Sequence, residues 1–315
     1  MTSSRPDARV IVNPAAGGGA AARLWPELER ELGRRGLEID IARTTGRGHG
    51  VELARAAAEA GTRLVIAVGG DGTVHEVANG LLRAFDADGA RSTLGVVPVG
   101  TGNDFVKMLG DLRDRRRAYD TLVTGVVQRF DVGVAEWDGG SEFFVNGLGT
   151  GVDVEVVRQI QRLPRLPGVL GYLLGLMRAV WRFRAIPLRI RLDGQEREKR
   201  LMLLAVTNGR CIGGGFHICP SARPDDGRFD VCVVDELSRL QIARVIPRVL
   251  RGTHGGLPMV ELRQASFVEI EAMGPEALFF QLDGELREPG TRRVRVRIRP
   301  AALPVLLPAD RGGRA

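Results

Sequence analysis

The stretch "VGGDGTVHEVANGL", residues 68–81, sets two glycines, an aspartate, a glycine and a threonine between an apolar run and a helix-like pattern. Three further segments share that character: "NPAAGGG" (13–19), "TTGRGHG" (44–50) and "PVGTGND" (98–104). Glycines let a backbone approach an anion closely, and the first amides of a following helix supply donors and a favourable dipole. Loops of this kind can hold phosphates. Any one of them is equally well a plain connection, but four at one sheet edge point to an anion site. Neither G-x-x-x-x-G-K-[ST] nor a G-x-G-x-x-G after the first strand occurs, so the P-loop and dinucleotide fingerprints are both missing.

The elements that must carry these loops alternate. "RVIVNP" reads as a buried strand and "ARLWPELERELGRRG" as an amphipathic helix closed by Gly36. "LEIDIAR", "RLVIAVGG" and "STLGVVPVG" are the next strands, separated by the helices "GVELARAAAEAG" and "VHEVANGLLRAF". Such alternation predicts right-handed βαβ crossovers and a mostly parallel sheet, with its ligand crevice beyond the carboxyl ends of the strands. The four loops lie at those ends. From about Phe130 the rhythm changes to short alternating strands, among them "RFDVGVAEW", "SEFFVNGLG", "MVELRQASFVEIEA" and "RRVRVRIRP". They predict an antiparallel sheet or sandwich, interrupted by helices at "VDVEVVRQIQRL", "LPGVLGYLLGLMRAVWRFR" and "SRLQIARVIPRVLRG".

A chain of 315 residues with 44% hydrophobic and 26% charged side chains fits two soluble domains of about 100–200 residues each. The net charge of +7 favours anionic partners: nucleic acid, a phospholipid surface or phosphorylated small molecules. Lys107 and Lys199 are the only lysines, and the arginines are spread along the whole chain, more like a compositional habit than a device. Cys211, Cys219 and Cys232 have no C-x-x-C spacing, so a zinc knuckle and a redox pair are both unexpected. No helix-turn-helix, zinc finger or aromatic RNA-binding cluster is present, and no nucleic-acid partner is expected. The N-terminus lacks the apolar run of a signal peptide, and a cytoplasmic protein is expected.

"GGDGTVHEVANGL", then "PVGTGNDF", with "NPAAGGG" upstream and "DDGRFD" and "DGE" downstream, resembles the diacylglycerol kinase catalytic superfamily. The likeness is strongest to its soluble bacterial lipid kinases, which also resemble sphingosine and ceramide kinases, and it runs from about residue 8 to about residue 307. "GGDGT" alone is shared with NAD kinases; its combination with "GTGNDF" and the late "DGE" separates the lipid kinases from them. The resemblance implies an α/β fold of NAD kinase and diacylglycerol kinase type. A Rossmann-like nucleotide-binding domain (8–129) precedes a mainly antiparallel β-sandwich lipid-substrate domain (130–300), with ATP in the cleft between them. It also implies that residues 301–308 pack back on the first domain.

Carried over residue by residue, the resemblance implies that Asn13 meets the nucleotide with Thr44 nearby. Gly69, Gly70, Asp71, Gly72 and Thr73 wrap the phosphates, continued by Val74 and His75 and helped by Thr101. Asp71 approaches phosphate only if a cation offsets its charge, so its presence calls for Mg²⁺; a turn aspartate bonded to its own backbone would look the same. Glu76 and Asn79, at i and i+3 on the next helix, either project to the site or lie on an outer face. "SARPDDGRFD" resembles the family's metal loop, which assigns Asp226 and the carbonyls of Arg223 and Arg228 to Mg²⁺. The glutamate of "DGE", Glu285, is implied as the base that accepts the proton of the attacking hydroxyl, with Asp283 beside it. Asp104 is a possible member of the same network.

The resulting expectation is an ATP-dependent lipid kinase with diacylglycerol as acceptor. It would touch the membrane peripherally to reach its lipid, the helix at 166–184 being either a contact with that surface or a buried cover of the β domain, and an edge-paired homodimer is compatible with its strands. The alternatives are an NAD kinase-like phosphotransferase and a non-catalytic nucleotide-binding regulator; the intact "DGE" counts against the latter.

Overall fold

A computed structural model describes residues 7–89, 91–100, 102–110, 112–162, 179–181, 183–288 and 290–311. The chain divides into two compact units, Met1–Phe130 with Ala301–Ala315, and Asp131–Pro300.

The first unit alternates β1 (Ala8–Val12), α1 (Ala16–Arg34), β2 (Ile39–Arg43), α2 (His49–Glu59), β3 (Leu64–Gly69), α3 (Asp71–Asp88) and β4 (Thr93–Pro98). Two shorter helices follow, α4 (Val106–Leu109) and α5 (Arg115–Thr124). Its strands are parallel in the order β2-β1-β3-β4. Covered on both faces, β1 and β3 are buried as continuous apolar runs, Val10–Val12 and Val65–Val68. Leu24, Leu28 and Leu32 recur every fourth residue along α1 and share one core with Val10, Val12, Ile66 and Val68. The chain leaves β1 toward β2 on one side and returns to β3 on the other. That reversal opens a crevice beyond the carboxyl ends of β1 and β3, where loops 13–19 and 69–73 begin.

The second unit is a sandwich. Its strands are β5 (Val126–Trp137, in this unit from Asp131), β6 (Gly140–Phe144), β7 (Gly147–Gly151), β8 (Ile186–Leu192), β9 (Gln195–Thr207) and β10 (Phe229–Asp235). They continue with β11 (Val260–Ala265), β12 (Phe267–Ala272), β13 (Phe280–Leu282), β14 (Glu285–Arg287) and β15 (Arg293–Leu307). The far half of β9 pairs with β7 and β10, and its near half pairs with β8. One layer therefore runs β14-β13-β7-β9-β10-β11, and the other runs β9-β8-β12-β15-β5-β6. Leu148, Val206 and Phe229 from the first layer meet Ile190, Ile270 and Val296 from the second in one core. From Ala301 onward β15 lies in the first unit, where Val305 pairs in parallel with Leu94 of β4.

Helix α6 (Val152–Arg162) follows β7, and α7 (Arg239–Arg251) joins β10 to β11, opened by a Ser238/Gln241 capping box. The helix expected over 166–184 lies outside the described residues except for 179–181 and 183–184. No helix among the described residues is long and apolar enough to cross a membrane.

Two expected strands are each broken in two. "SEFFVNGLG" forms β6 and β7 because the Val145 and Asn146 amides turn to a carboxylate, that of Asp283. "MVELRQASFVEIEA" breaks at Ser266, where the Asp193 carboxylate accepts the Ser266 amide at 3.0 Å and the Phe267 amide at 2.9 Å. Helix α3 also starts earlier than its apolar pattern, at Asp71, so the last three residues of "GGDGT" form its first turn.

Helices α2 and α3 cross where Gly80 has no side chain. A Cβ there would stand 2.4 Å from the Val51 carbonyl oxygen and 2.7 Å from Ala54 Cβ. Alanine is the better helix former by about 1 kcal/mol, yet Gly80→Ala is expected to destabilise the protein by about 1–3 kcal/mol through overpacking. Denaturant unfolding measures this, and an unchanged or higher midpoint would show that the crossing yields without cost.

Candidate active site

Three of the four glycine-rich loops meet in the first unit. Asp71 Oδ1 accepts the Phe105 amide at 3.1 Å, which ties "GGDGT" to the segment following "GTGND". The Val99 amide donates to the Gly69 carbonyl at 2.8 Å, and a Cβ on Gly100 would lie 3.5 Å from Gly70 Cα. Asn13 Nδ2 donates to Thr73 Oγ1 at 3.2 Å, bringing in the loop after β1. Gly69 is sterically required, since a Cβ would fall 2.2 Å from Thr73 Oγ1. Gly17, Gly18 and Gly19 hold left-handed φ values of 59°, 65° and 87°, a turn that side-chain-bearing residues resist.

The N-terminus of α3 has no side-chain cap, because Gly70 occupies that position in an extended conformation. The Thr73 amide turns back to the Gly70 carbonyl at 3.0 Å, while the amides at the very start of a helix lack intrahelical acceptors and with the helix dipole favour an anion. The fourth loop behaves differently. Glu76 Oε1 accepts the Gly48 amide at 2.7 Å and Oε2 the Gly50 amide at 2.9 Å, so α2 already has a carboxylate of its own chain at its start. Glu76 is thereby drawn to α2. Thr44 is held through its amide, which donates to the Val12 carbonyl at 2.9 Å.

Asn79 is buried and donates to the His75 carbonyl at 3.0 Å. The side chains of Val74 and His75 are buried as well, and the Val74 amide is taken by the Gly70 carbonyl. Asp104 is buried with Oδ1 accepting Lys107 Nζ at 2.6 Å. Thr101 lies outside the described residues.

In the second unit the "DGE" turn joins β13 to β14. Asp283 takes a left-handed φ of 51° and Gly284 follows at 89°. The Asp283 carboxylate is buried and accepts three consecutive amides: Val145 to Oδ2 at 2.9 Å, and Asn146 and Gly147 to Oδ1 at 2.8 and 2.9 Å. Its oxygens are occupied in anchoring the turn, so Asp283 is placed to position its neighbour. Gln281 adds a second brace, with Oε1 accepting the Gly284 amide and Nε2 donating to Asp153 at 2.8 Å. Glu285 opens β14 half-buried, and two residues on, Arg287 Nε donates to Glu142 at 2.6 Å.

The metal-loop residues Arg223, Asp226 and Arg228 are exposed. Asp226 Oδ1 accepts the Arg228 amide at 3.0 Å and Oδ2 the Gln264 side chain at 3.1 Å. Buried Asp131 holds the loop from within, accepting the Gly227 amide at 2.7 Å and donating its own amide to the Pro224 carbonyl at 2.7 Å. Asp230 is buried beside it with Oδ2 unpartnered, and burial, reinforced by the Asp226 carboxylate, pushes its carboxyl above the ordinary range. Two carboxylates and nearby carbonyls form an oxygen-only donor set that fits a hard cation. Among the described residues no three His, Cys, Asp or Glu side chains cluster as a cage, so carbonyls and water would complete any such shell.

Asp131, Asp153 and Gln281 were not distinguished by motif, and Asp230 closes the "DDGRFD" motif whose resemblance assigns the metal to Asp226. The available signal was a polar residue inside an otherwise buried strand run, as in "RFDVGV", "GRFDVCVV" and "FFQL".

A family model described as diacylglycerol kinase catalytic domain matches residues 7–135, and one described as YegS C-terminal NAD kinase beta sandwich-like domain matches residues 146–307. The diacylglycerol kinase of Bacillus subtilis (strain 168) is 32% identical over 280 residues, covering 88% of this chain and 89% of its own. A protein of Chromohalobacter salexigens named probable lipid kinase YegS-like is 34% identical over 272 residues, with 85% and 84% covered. A solved chain from Bacillus anthracis str. Sterne aligns with a TM-score of 0.79 at 25% identity over 98% of each chain. A second, described as a diacylglycerol kinase from the same strain, gives 0.70 at 23% identity over 97% and 98%.

The chain belongs to the diacylglycerol kinase family of lipid kinases. A kinase of this family implies ATP as phosphoryl donor and a lipid as acceptor. The NAD kinase-like alternative is not favoured, since the relatives matched over most of the chain carry lipid-kinase names.

Two outcomes are expected from the second unit. Asp283→Asn keeps the shape but turns a donor toward a backbone amide, and should cost about 1.5–3 kcal/mol, the range for hydrogen bonds to a charged group. Faster hydrogen exchange at Asn146 and Gly147 would report it; unchanged exchange would refute the anchor. Asp230 has a folded pKa raised above its unfolded value, so its contribution to stability is present below the unfolded pKa and lost as pH rises through the folded one. In EDTA, Asp230→Asn should therefore melt higher than the parent near neutral pH, by about 2–4 °C per kcal/mol relieved, and lose that advantage in acid. A lower melting point at neutral pH would mean that the carboxylate is satisfied.

Proposed function

We propose that this kinase transfers the γ-phosphoryl group of ATP to the free hydroxyl of diacylglycerol, giving phosphatidic acid. The observation that carries the reading is the Asp283 anchor, which presents Glu285 at a fixed, half-buried turn. Glu285 accepts the hydroxyl proton as the bond to phosphorus forms and the bond to the leaving phosphate breaks. In the first unit, the start of α3 and the loop of Gly69, Gly70, Asp71, Gly72 and Thr73 hold the nucleotide phosphates, with Asn13 and Thr44 on the neighbouring loops and Thr101 assigned to the same nucleotide. Asp71 and Asp104 bring negative charge to that site. Bound Mg²⁺ would offset this charge and that of the phosphates, and a second Mg²⁺ would sit at Asp226 with the carbonyls of Arg223 and Arg228. The acceptor places the enzyme at the cytoplasmic membrane face as a peripheral protein. The name of the Bacillus subtilis relative supports diacylglycerol as that acceptor.

Glu285→Gln is isosteric and removes the base. Lipid phosphorylation, followed by mass spectrometry of a diacylglycerol incubated with ATP and Mg²⁺, should fall by about 10²–10⁴-fold while the melting temperature stays unchanged. Retained turnover would dismiss Glu285 as the base, and label on another lipid of a total extract would correct the acceptor.

A further inference from the structure

We infer that the outer face of α7, together with Trp181, is the surface by which this protein docks on an anionic phospholipid bilayer. The helix reads RLQIARVIPRVLR and contains four arginines and no acidic residue. Its inner side is settled by packing: Ile242 and Val245 are buried, and with Ile246 they join a core containing Ala222, Cys232 and Val234. On a 3.6-residue period the opposite side carries Leu240, Arg244, Pro247 and Arg251, flanked by Arg248 and Leu250. All six are exposed, Leu240 by 76%.

The contrast with the strands of the second unit makes this face more than a solvated surface. Arg189, Arg191, Arg197, Arg293 and Arg295 all lie on strands and are paired with glutamates. Among the described residues Arg244, Arg248 and Arg251 make no ion pair. At the start of α7 the Arg239 guanidinium stacks 4.5 Å from the ring of Trp181, which is 58% exposed. An exposed tryptophan and leucines among unneutralised arginines, on a helix of about 20 Å, match the demands of a headgroup layer. The arginines meet lipid phosphate while the apolar side chains enter the acyl boundary. Duplex nucleic acid would use the charge but leave Leu240 and Trp181 without a role.

The inference rests on the lipid-kinase reading for its purpose, and its test is separable from that reading. Co-sedimentation with phosphatidylcholine vesicles, with and without phosphatidylglycerol, should show binding only to the anionic set, weakening with salt. The Arg244→Glu/Arg248→Glu variant should bind at least roughly thirtyfold more weakly, taking about 1 kcal/mol for each arginine near an anionic surface. Its rate on a water-soluble short-chain diacylglycerol should match the parent. Leu240→Asp should reproduce the binding loss at a position whose exposure makes misfolding unexpected. Equal binding by parent and variants, equal binding to both vesicle types, or an oligonucleotide that competes for the same face would each overturn the docking surface. If the parent binds anionic vesicles through α7 but phosphorylates no lipid, the kinase reading fails and the docking surface stands.

Discussion

The geometry of the second unit depends on one buried carboxylate. Asp283 accepts three successive amides from Val145 to Gly147, and this converts what would be one continuous edge into β6 and β7. Those amides would otherwise face the ladder or go unpaired, and a buried unpaired amide costs about 1–3 kcal/mol. A single anion satisfies all three. The same bonds fix Asp283 in a left-handed conformation that only the surrounding structure makes acceptable. The reversal then delivers Glu285 to the start of β14.

The device recurs wherever a loop must be held. Glu76 takes two amides at the start of α2, Asp193 takes those of Ser266 and Phe267, Asp131 takes that of Gly227, and Asp71 takes that of Phe105. Burial tends to raise Asp193, but the Phe267 and Ser266 donors outweigh it and leave its carboxyl below the ordinary range. Acids bound in this way are structural parts. Glu285 and Asp226 differ in being accessible, Glu285 half-buried and Asp226 exposed, and Asp230 differs in holding a buried oxygen without a partner. These differences are in keeping with the proposed roles of Glu285 as base and Asp226 as cation ligand.

The legible part of the fold is the part governed by periodicity. Continuous apolar runs marked β1 and β3, the fourfold leucine spacing marked α1, and turn residues marked the strand ends. What escaped was every feature created by a distant partner. Nothing local in "SEFFVNGLG" says that its middle amides belong to an aspartate far along the chain, nor does "MVELRQASFVEIEA" say that Asp193 will split it. The residues of "GGDGT" were legible as a loop, but their packing shows a division of labour. Gly69 makes room for Thr73, Asp71 binds the neighbouring loop, and Val74 and His75 turn inward.

Arginine usage shows why composition alone misleads. Spread along the sequence, the arginines look uniform, yet within the second unit the strands and α7 treat them differently. On strands β8, β9, β12 and β15 they alternate with glutamates across neighbouring strands, where exposed pairs each contribute at most about 1 kcal/mol and the net field largely cancels. On α7 no glutamate or aspartate is available at any i, i+3 or i, i+4 position, so the field of four arginines is not cancelled from within the helix. Such partners would add about 0.2–0.5 kcal/mol per pair. Their absence, beside exposed Leu240, Leu250 and Trp181, makes sense if the compensating charge arrives from outside the protein.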